Sequence, residues 1–483
     1  MLFRSGSVAW FVRASEQAES QLLTYTVTAS ADGMSDQSVS RGVNVPRISL
    51  DYDTGFRLDS HGYNFSNTGR DGFSWDQFRN LYGEDEVEIA GQRSERAKTF
   101  FKESYTHSGK GGRCFGMAAS SLYLYQNDLN GSDTGRWLDD LPQWNIFPDF
   151  VNTNQDWIEY YQPRQMDEAC QNERNTYNNA EVVYNEMKQR MASGNWEDDP
   201  MVLDIWWHKY EYFVNRVNQG HTVTPTRIVE APDHSTASVF VYDNAIGNAF
   251  EWEFVFNLST WEVRDATPFW NQGNAFDSVS AVSLNAIQQE PQMRNYEFIT
   301  SQTGHLLYTD NSGNVLGYYN GEFVDGIQGA YKVEITGDEG DFPETYYTGD
   351  LDLKQQIIGV EDGTASVSIM KPNGLVVVET EVMDGSQDEL KTSADASSIE
   401  FVSSGDKSFI NILLDRETDD MARTVHVNGL DVYEGNSIKV SISETLDTVG
   451  IQNIGDGRTY TVFMEQIGDR KSTRLNSSHG KLS

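Results

Sequence analysis

Cys114 stands in the run Gly111-Gly112-Arg113-Cys114-Phe115-Gly116-Met117-Ala118-Ala119 and is one of only two cysteines in 483 residues. Phe115, Ala118, Ala119, Leu122 and Tyr125 recur at helical spacing, which predicts a helix beginning at the cysteine with one buried apolar face. A thiol in a first helical turn faces unpaired N–H groups and the positive end of the helix dipole. Both favour thiolate over thiol, and the thiolate is the nucleophile. Gly111 and Gly112 leave room for another backbone, or a substrate, to approach closely. A lone cysteine is more often simple core packing, so chemistry here requires a base.

The chain has eight histidines. His61, His107, His208, His234, His305 and His426 lie in polar or mixed surroundings where solvated or capping roles are expected, and His479 lies in the C-terminal tail. His221 opens the strand-like run from Gly220 to Glu230. A turn at Ala231-Pro232-Asp233-His234-Ser235 follows, then a second strand from Ala237 to Asn244. Pairing these strands about Pro232-Asp233 sets His221 opposite Asn244, and a one-residue shift sets it opposite Asp243. Thiol, imidazole and an orienting carboxylate or amide are the groups that nucleophilic acyl transfer needs. Adjacent residues of a strand point to opposite faces, so only one of the two can share a face with His221. Asp243 is the expected third member, because a carboxylate both fixes the imidazole tautomer and stabilises the imidazolium. Asn244, expected to cap the turn that follows, is the alternative.

The order Cys, His, Asp/Asn, with the cysteine heading a helix, resembles the papain-like cysteine peptidase superfamily. More closely, the chain resembles the Gly-x-Cys-x-Gly-Met-Ala segment and the Gly-His-x-Val plus Val-Tyr-Asp-Asn pair of secreted prokaryotic members, over residues 50–265. The resemblance implies an α+β catalytic domain that hydrolyses peptide or amide bonds through a thioester, outside the cell or on its surface. It implies Cys114 as nucleophile, His221 as general base then acid, and Asp243 or Asn244 as the orienter, with no cofactor and no metal. The glutamine that such enzymes place shortly before the cysteine has no counterpart between Tyr105 and Arg113. The second oxyanion donor, beside the Cys114 N–H, is therefore expected from the segment before the helix or from Asn64 to Asn67. A transglutaminase-like acyl transferase would use the same three groups. A catalytically inactive surface-binding module is the third reading.

Other chemistries lack their motifs. The chain has no His-Glu-x-x-His, no Gly-x-Ser-x-Gly elbow, no phosphate loop and no paired Cys-x-x-Cys site. A formal charge of −37 repels nucleic acid and anionic membranes, so the expected partner is a peptide or protein substrate. No apolar run is long enough to span a bilayer. Cys170 sits in the polar stretch Asp167 to Asn172 and is expected to be incidental.

The elements that must position these groups read in blocks. Residues 1–5 and 469–483 resemble translated sequencing adaptors and are set aside, and the chain is expected to be a monomeric fragment of a larger multidomain protein. Residues 6–48 alternate like the remnant of an immunoglobulin-like β module, and 49–290 hold the α+β catalytic domain. Residues 295–468 show short strands with turn signals about every eight to twelve residues, as in a β-sandwich accessory domain. Aromatics crowd Trp137, Trp144, Phe147, Phe150, Trp157, Tyr160 and Tyr161, expected to pack over the nucleophile helix rather than to line a cleft. Ala180 to Ser193 reads as a helix stopped by Gly194, and Met201 to Trp206 as a buried strand. The acidic runs 384–389 and 415–420 are expected to be solvated turns rather than calcium loops.

Overall fold

The computed structural model describes residues 21–29, 37–45, 50–63, 65–67, 73–127, 154–211, 215–245, 250–266, 274–293, 295–301, 303–337, 343–454, 459–468 and 475–481. The terminal residues 1–20, the aromatics from Trp137 to Phe150, the turn at 246–248 and the tail residues 469–474 lie outside them. The chain mixes helices with antiparallel sheets. Of residues 6–48, two strands are described, Gln21–Ala29 and Gln37–Val45, and they pair with each other.

A seven-stranded sheet carries the histidine. Its order runs Val263–Asp265, Phe250–Asn257, Thr236–Asp243, Asn215–Glu230, Met201–Glu211 and Ser278–Ser283, and Asp51–Asp53 also pairs with Asn215–Glu230. Alternate residues of Thr236–Asp243 are buried, so Ala237, Val239 and Val241 enter one core with Val183, Tyr184 and Met187. Those last three come from the helix Ala180–Ser193, capped by the Asn179 side chain and ended by Gly194 in the left-handed region. Met201 to Trp206 is buried throughout because helices cover both faces of the sheet.

The helix Cys114–Gln126 differs from the one-faced pattern read in the sequence. Every residue from Cys114 to Leu122 is buried, and Leu124 with them. Small side chains permit this: a Cβ on Gly116 would come within 2.1 Å of the Ile158 carbonyl oxygen, so the helix Asn154–Tyr161 lies directly against it. Ser120 and Ser121 donate their hydroxyls back to Gly116 and Ala118 carbonyls at 2.6 and 2.9 Å, which removes the cost of burying them. Trp157 and Tyr161 pack on this helix, Trp157 stacked on Tyr123 with centroids 5.1 Å apart. Cys170, expected to be incidental in a polar stretch, is wholly buried in the same core.

Two further antiparallel sheets, of nine and eight strands, draw on residues 296–481 and 304–454. They face each other across one core, with Leu306, Ile357 and Phe401 from one meeting Val367, Val378 and Ile412 from the other. The last strand of the nine is Leu475–Lys481, taken from the tail set aside on sequence grounds. The two acidic runs are not solvated turns throughout. Asp388 is paired with Lys407 at 2.9 Å with both side chains fully buried, and Asp415 is buried against Thr424 at 2.5 Å. Burial, and then the charge of neighbouring Glu417, hold the Asp415 proton well above the usual carboxylate range.

The nine-stranded sheet is not a separate bead. Its outer face packs on the helices Trp75–Tyr82 and Glu95–Glu103, where Phe78 and Phe100 meet Tyr296, Phe298, Tyr331 and Met370, with Phe100 stacked on Tyr296 at 5.5 Å. Arg96 ties the two parts electrostatically. Its Nε donates to Glu417 at 2.9 Å and its Nη1 to the Met293 carbonyl at 3.0 Å, with the side chain 4% exposed. Removing one partner of a buried pair leaves the other charge uncompensated. Arg96→Ala should therefore lower unfolding stability by about 3 kcal/mol, measured by urea denaturation of the full chain. Arg79→Ala, a half-exposed residue whose nearest carboxylate is 3.9 Å away, should stay within about 0.5 kcal/mol of the parent.

Candidate active site

Three elements converge. The first turn of the Cys114 helix brings the thiol, the strand Asn215–Glu230 brings His221, and the end of Thr236–Asp243 brings the carboxylate. The hairpin pairs Glu230 with Ala237 through Arg227 with Phe240, and the ladder then slips before Pro225 pairs with Val241 and Thr224 with Tyr242. A bulge beside a proline is physically reasonable, since proline cannot donate to the ladder. Carrying the slipped register on sets Asp243 opposite Val223. His221 and Asp243 are thus diagonal neighbours on one face, rather than the opposed pair read from the sequence.

His221 and Asp243 meet through Nε2 and Oδ1 at 2.9 Å. The same Asp243 oxygen accepts from the Ala245 N–H at 2.9 Å, so Asp243 caps the turn that Asn244 was expected to cap. The other imidazole nitrogen is left for sulfur, and Cys114 and His221 lie close enough for each to shift the titration of the other. Cys114 is 1% exposed, His221 3% and Asp243 0%. Burial alone pushes the thiol up, but the bond to His221 and its charge, then Thr336 and the Thr222 N–H, outweigh it, and the net shift is downward. Burial alone would lower His221; the charge and hydrogen bond of Asp243, then Cys114, carry it up to about 10. The arrangement favours thiolate beside imidazolium.

Asn244 does a different task. Its Nδ2 donates to the Cys114 carbonyl at 3.0 Å and to the Thr222 carbonyl at 2.9 Å, stapling the start of the helix to the histidine strand. Its Oδ1, the only side-chain atom that could accept from the imidazole, is buried with no hydrogen-bond partner among the described residues. Asp243 rather than Asn244 is therefore the group that meets His221.

Asn67 falls within the span expected to help at the oxyanion position. Its backbone N–H donates to the Asn244 carbonyl at 2.7 Å, and its Oδ1 accepts from the Arg113 N–H at 2.5 Å. A Cβ on Gly112 would lie 2.7 Å from Asn67 Nδ2, so glycine at 112 is what lets this amide sit beside the cysteine turn. Two glutamines absent from the sequence reading also lie near the site, Gln162 at the helix start and Gln165 against Thr336. Gln162 Oε1 accepts from the Gly116 N–H at 2.7 Å, and Gln165 lies one turn further on. Nothing in their local sequence marks them, because they reach Cys114 only through folding of the segment after the helix.

Three other histidines do other work. His61 is buried and its Nδ1 accepts from the Arg57 N–H at 2.7 Å, while His234 and His305 pair with Glu230 and Glu344 at 2.7 and 2.6 Å. Among the described residues no group of three or more His, Cys, Asp or Glu side chains is placed to hold a metal ion, and no helix is long and apolar enough to cross a membrane. No family model, curated protein or solved structure matches this chain.

The two cysteines provide an internal comparison. Burial, and then the charge of Asp167, push the Cys170 thiol far above the ordinary range, whereas Cys114 is shifted down. Near neutral pH, iodoacetamide should alkylate Cys114 at least ~10-fold faster than Cys170, read by peptide mass mapping. A group with a lowered pKa keeps its charged form above that pKa and loses it as pH falls through it. The Cys114 rate should accordingly hold well below the ordinary thiol range and decline only in more acidic solution.

Proposed function

We propose that this protein is a cysteine-dependent hydrolase of peptide or amide bonds, with residues 49–290 a papain-like catalytic domain. In this reading residues 295–468 are a β-sandwich accessory domain, 6–48 the remnant of an immunoglobulin-like module, and the protein acts outside the cell or on its surface. The observation that carries the reading is the convergence of Cys114, His221 and Asp243 from three separate elements, all three buried and His221 joined to Asp243 at 2.9 Å.

The chemistry follows from those atoms. The Cys114 thiolate attacks a carbonyl carbon while the oxyanion is met by the Cys114 N–H and by Asn67 Nδ2, whose other end is held by Arg113. The C–N bond breaks as the His221 imidazolium gives its proton to the leaving amine, and a thioester remains. His221, now neutral, takes a proton from water, which attacks the thioester and frees the thiol. Asp243 keeps Nε2 of the ring engaged throughout, so that Nδ1 faces sulfur. A transferase would differ only in the last step, with an amine in place of water.

The test uses a peptidyl electrophile on the full chain over hours, with and without an amine acceptor. Cys114→Ala should take no label at position 114, and His221→Ala should slow labelling ~100-fold or more. Asp243→Ala should slow it more than Asn244→Ala does, with Asn244→Ala expressed chiefly as lost thermal stability. The reverse order would assign the orienting role to Asn244. Transfer of a cleaved acyl group to the amine would identify a transferase. An unlabelled Cys114 under denaturant-free conditions in every variant, including those of the next section, would identify an inactive binding module.

A further inference from the structure

The strands Tyr331–Lys332 and Glu344–Tyr347 belong to the nine-stranded sheet, yet the segment leaving the first of them, Val333 to Gly337, runs onto the Cys114 centre. Val333 and Ile335 are buried with Phe78 and Tyr105, which anchors the segment from behind. The Glu334 carbonyl accepts from Gln171 at 2.8 Å and Arg174 at 2.6 Å. The Thr336 N–H donates to Gln165 Oε1 at 2.7 Å, and its carbonyl accepts from Gln162 and Gln165 at 3.2 and 3.1 Å. The Thr336 hydroxyl lies 2.6 Å from that of Thr222 and beside the Cys114 sulfur, whose titration it influences. The Gly337 N–H donates to the carbonyl of Gly220, the residue before His221, at 3.2 Å. At Gly337 the backbone has φ +75°, and a Cβ there would lie 2.4 Å from the Gly112 carbonyl oxygen.

Backbone groups of Glu334, Thr336 and Gly337 are thus taken up by Gln162, Gln165, Gln171 and Arg174 and by Gly220, the neighbour of the base. That is how a cleft holds an extended peptide: main-chain hydrogen bonds give purchase, and local space selects side chains. Resting on the acyl-transfer reading above, we propose that Val333–Gly337 is a tethered, substrate-like occupant of the cleft. It keeps Cys114 latent, and its Thr-Gly step marks the pair of residues the cleft accepts from a peptide. Glycine is required at the second position because the Gly112 carbonyl leaves no room for a Cβ. The latent state ends when the segment lifts away from Gln165 and Gly220.

Gly337→Ala puts a Cβ into that contact and an L side chain at positive φ, so it should lift the segment without touching the catalytic groups. Iodoacetamide should then alkylate Cys114 at least ~10-fold faster than in the parent, with Cys170 unchanged. Thr336→Cys places a thiol against Cys114; under oxidant it should form a disulfide that abolishes labelling at 114, and dithiothreitol should restore it. On Gly337→Ala, a chloromethyl ketone built on Ile-Thr-Gly should label Cys114 faster than one built on Ile-Thr-Ala.

A folded Gly337→Ala chain labelled no faster than the parent would overturn latency. If that variant fails to fold, Thr336→Cys decides alone, and a thiol there that never cross-links to Cys114 overturns the placement. Equal labelling by the two ketones would overturn the substrate-like character. If Gly337→Ala speeds labelling but the rate follows an ordinary thiol titration, the segment covers the cysteine and the acyl-transfer reading fails instead. A parent that labels as fast as the variant, with a lowered thiol pKa, leaves that reading standing and removes latency.

Discussion

A charge taken out of water must be met by an opposite charge and by hydrogen bonds, or the group titrates to neutrality instead. The centre of this protein is built around that constraint. Cys114 and His221 are both almost wholly buried, and neither could stay ionised alone. Together, with Asp243 behind the imidazole and the Thr222 N–H and Thr336 hydroxyl on the sulfur, each supplies what the other lacks. The surrounding fold exists in the form it does because these partners come from distant stretches of chain.

Holding them requires polar side chains in the interior, and the structure joins these in a connected set. Asp204 accepts from Arg174 at 2.8 Å and from Thr222 at 2.6 Å, and Thr222 in turn meets Thr336. Gln165 engages both Arg174 and Thr336. Asn244 closes the other side by joining the Cys114 and Thr222 carbonyls. Such a set is stable when every member is satisfied and costly when one is removed, so it fixes geometry as well as contributing stability. It also couples the nine-stranded sheet to the thiol, because Thr336 lies in the segment that leaves the strand Tyr331–Lys332.

How much of this could be read from residues alone varied with the range of the interaction. Cys114 at a helix start, His221 on a strand and a carboxylate or amide at 243–244 were legible, because hairpin geometry and helical spacing are local. The choice between Asp243 and Asn244 turned on a bulge at Pro225, which shifts the ladder and which composition does not announce. The all-round burial of the Cys114 helix was hidden because Ser120 and Ser121 read as polar, while their hydroxyls bond to the helix itself. The role of Asn67 was visible only as a span, and Gln162, Gln165, Thr336 and Gly337 carried no signal at all. Their approach to Cys114 depends on how one sheet packs against the helices beside another, which is the least local fact about a fold.

The central claim is that His221 is held as a cation beside a thiolate, and nitrogen NMR of the selectively labelled imidazole reads this directly. The account predicts that both ring nitrogens remain protonated through neutral pH, with deprotonation displaced from the ordinary value of 6.5 up to about 10 and brought back down in Cys114→Ala. A His221 resonance that titrates near 6.5 and is indifferent to loss of Cys114 would contradict it.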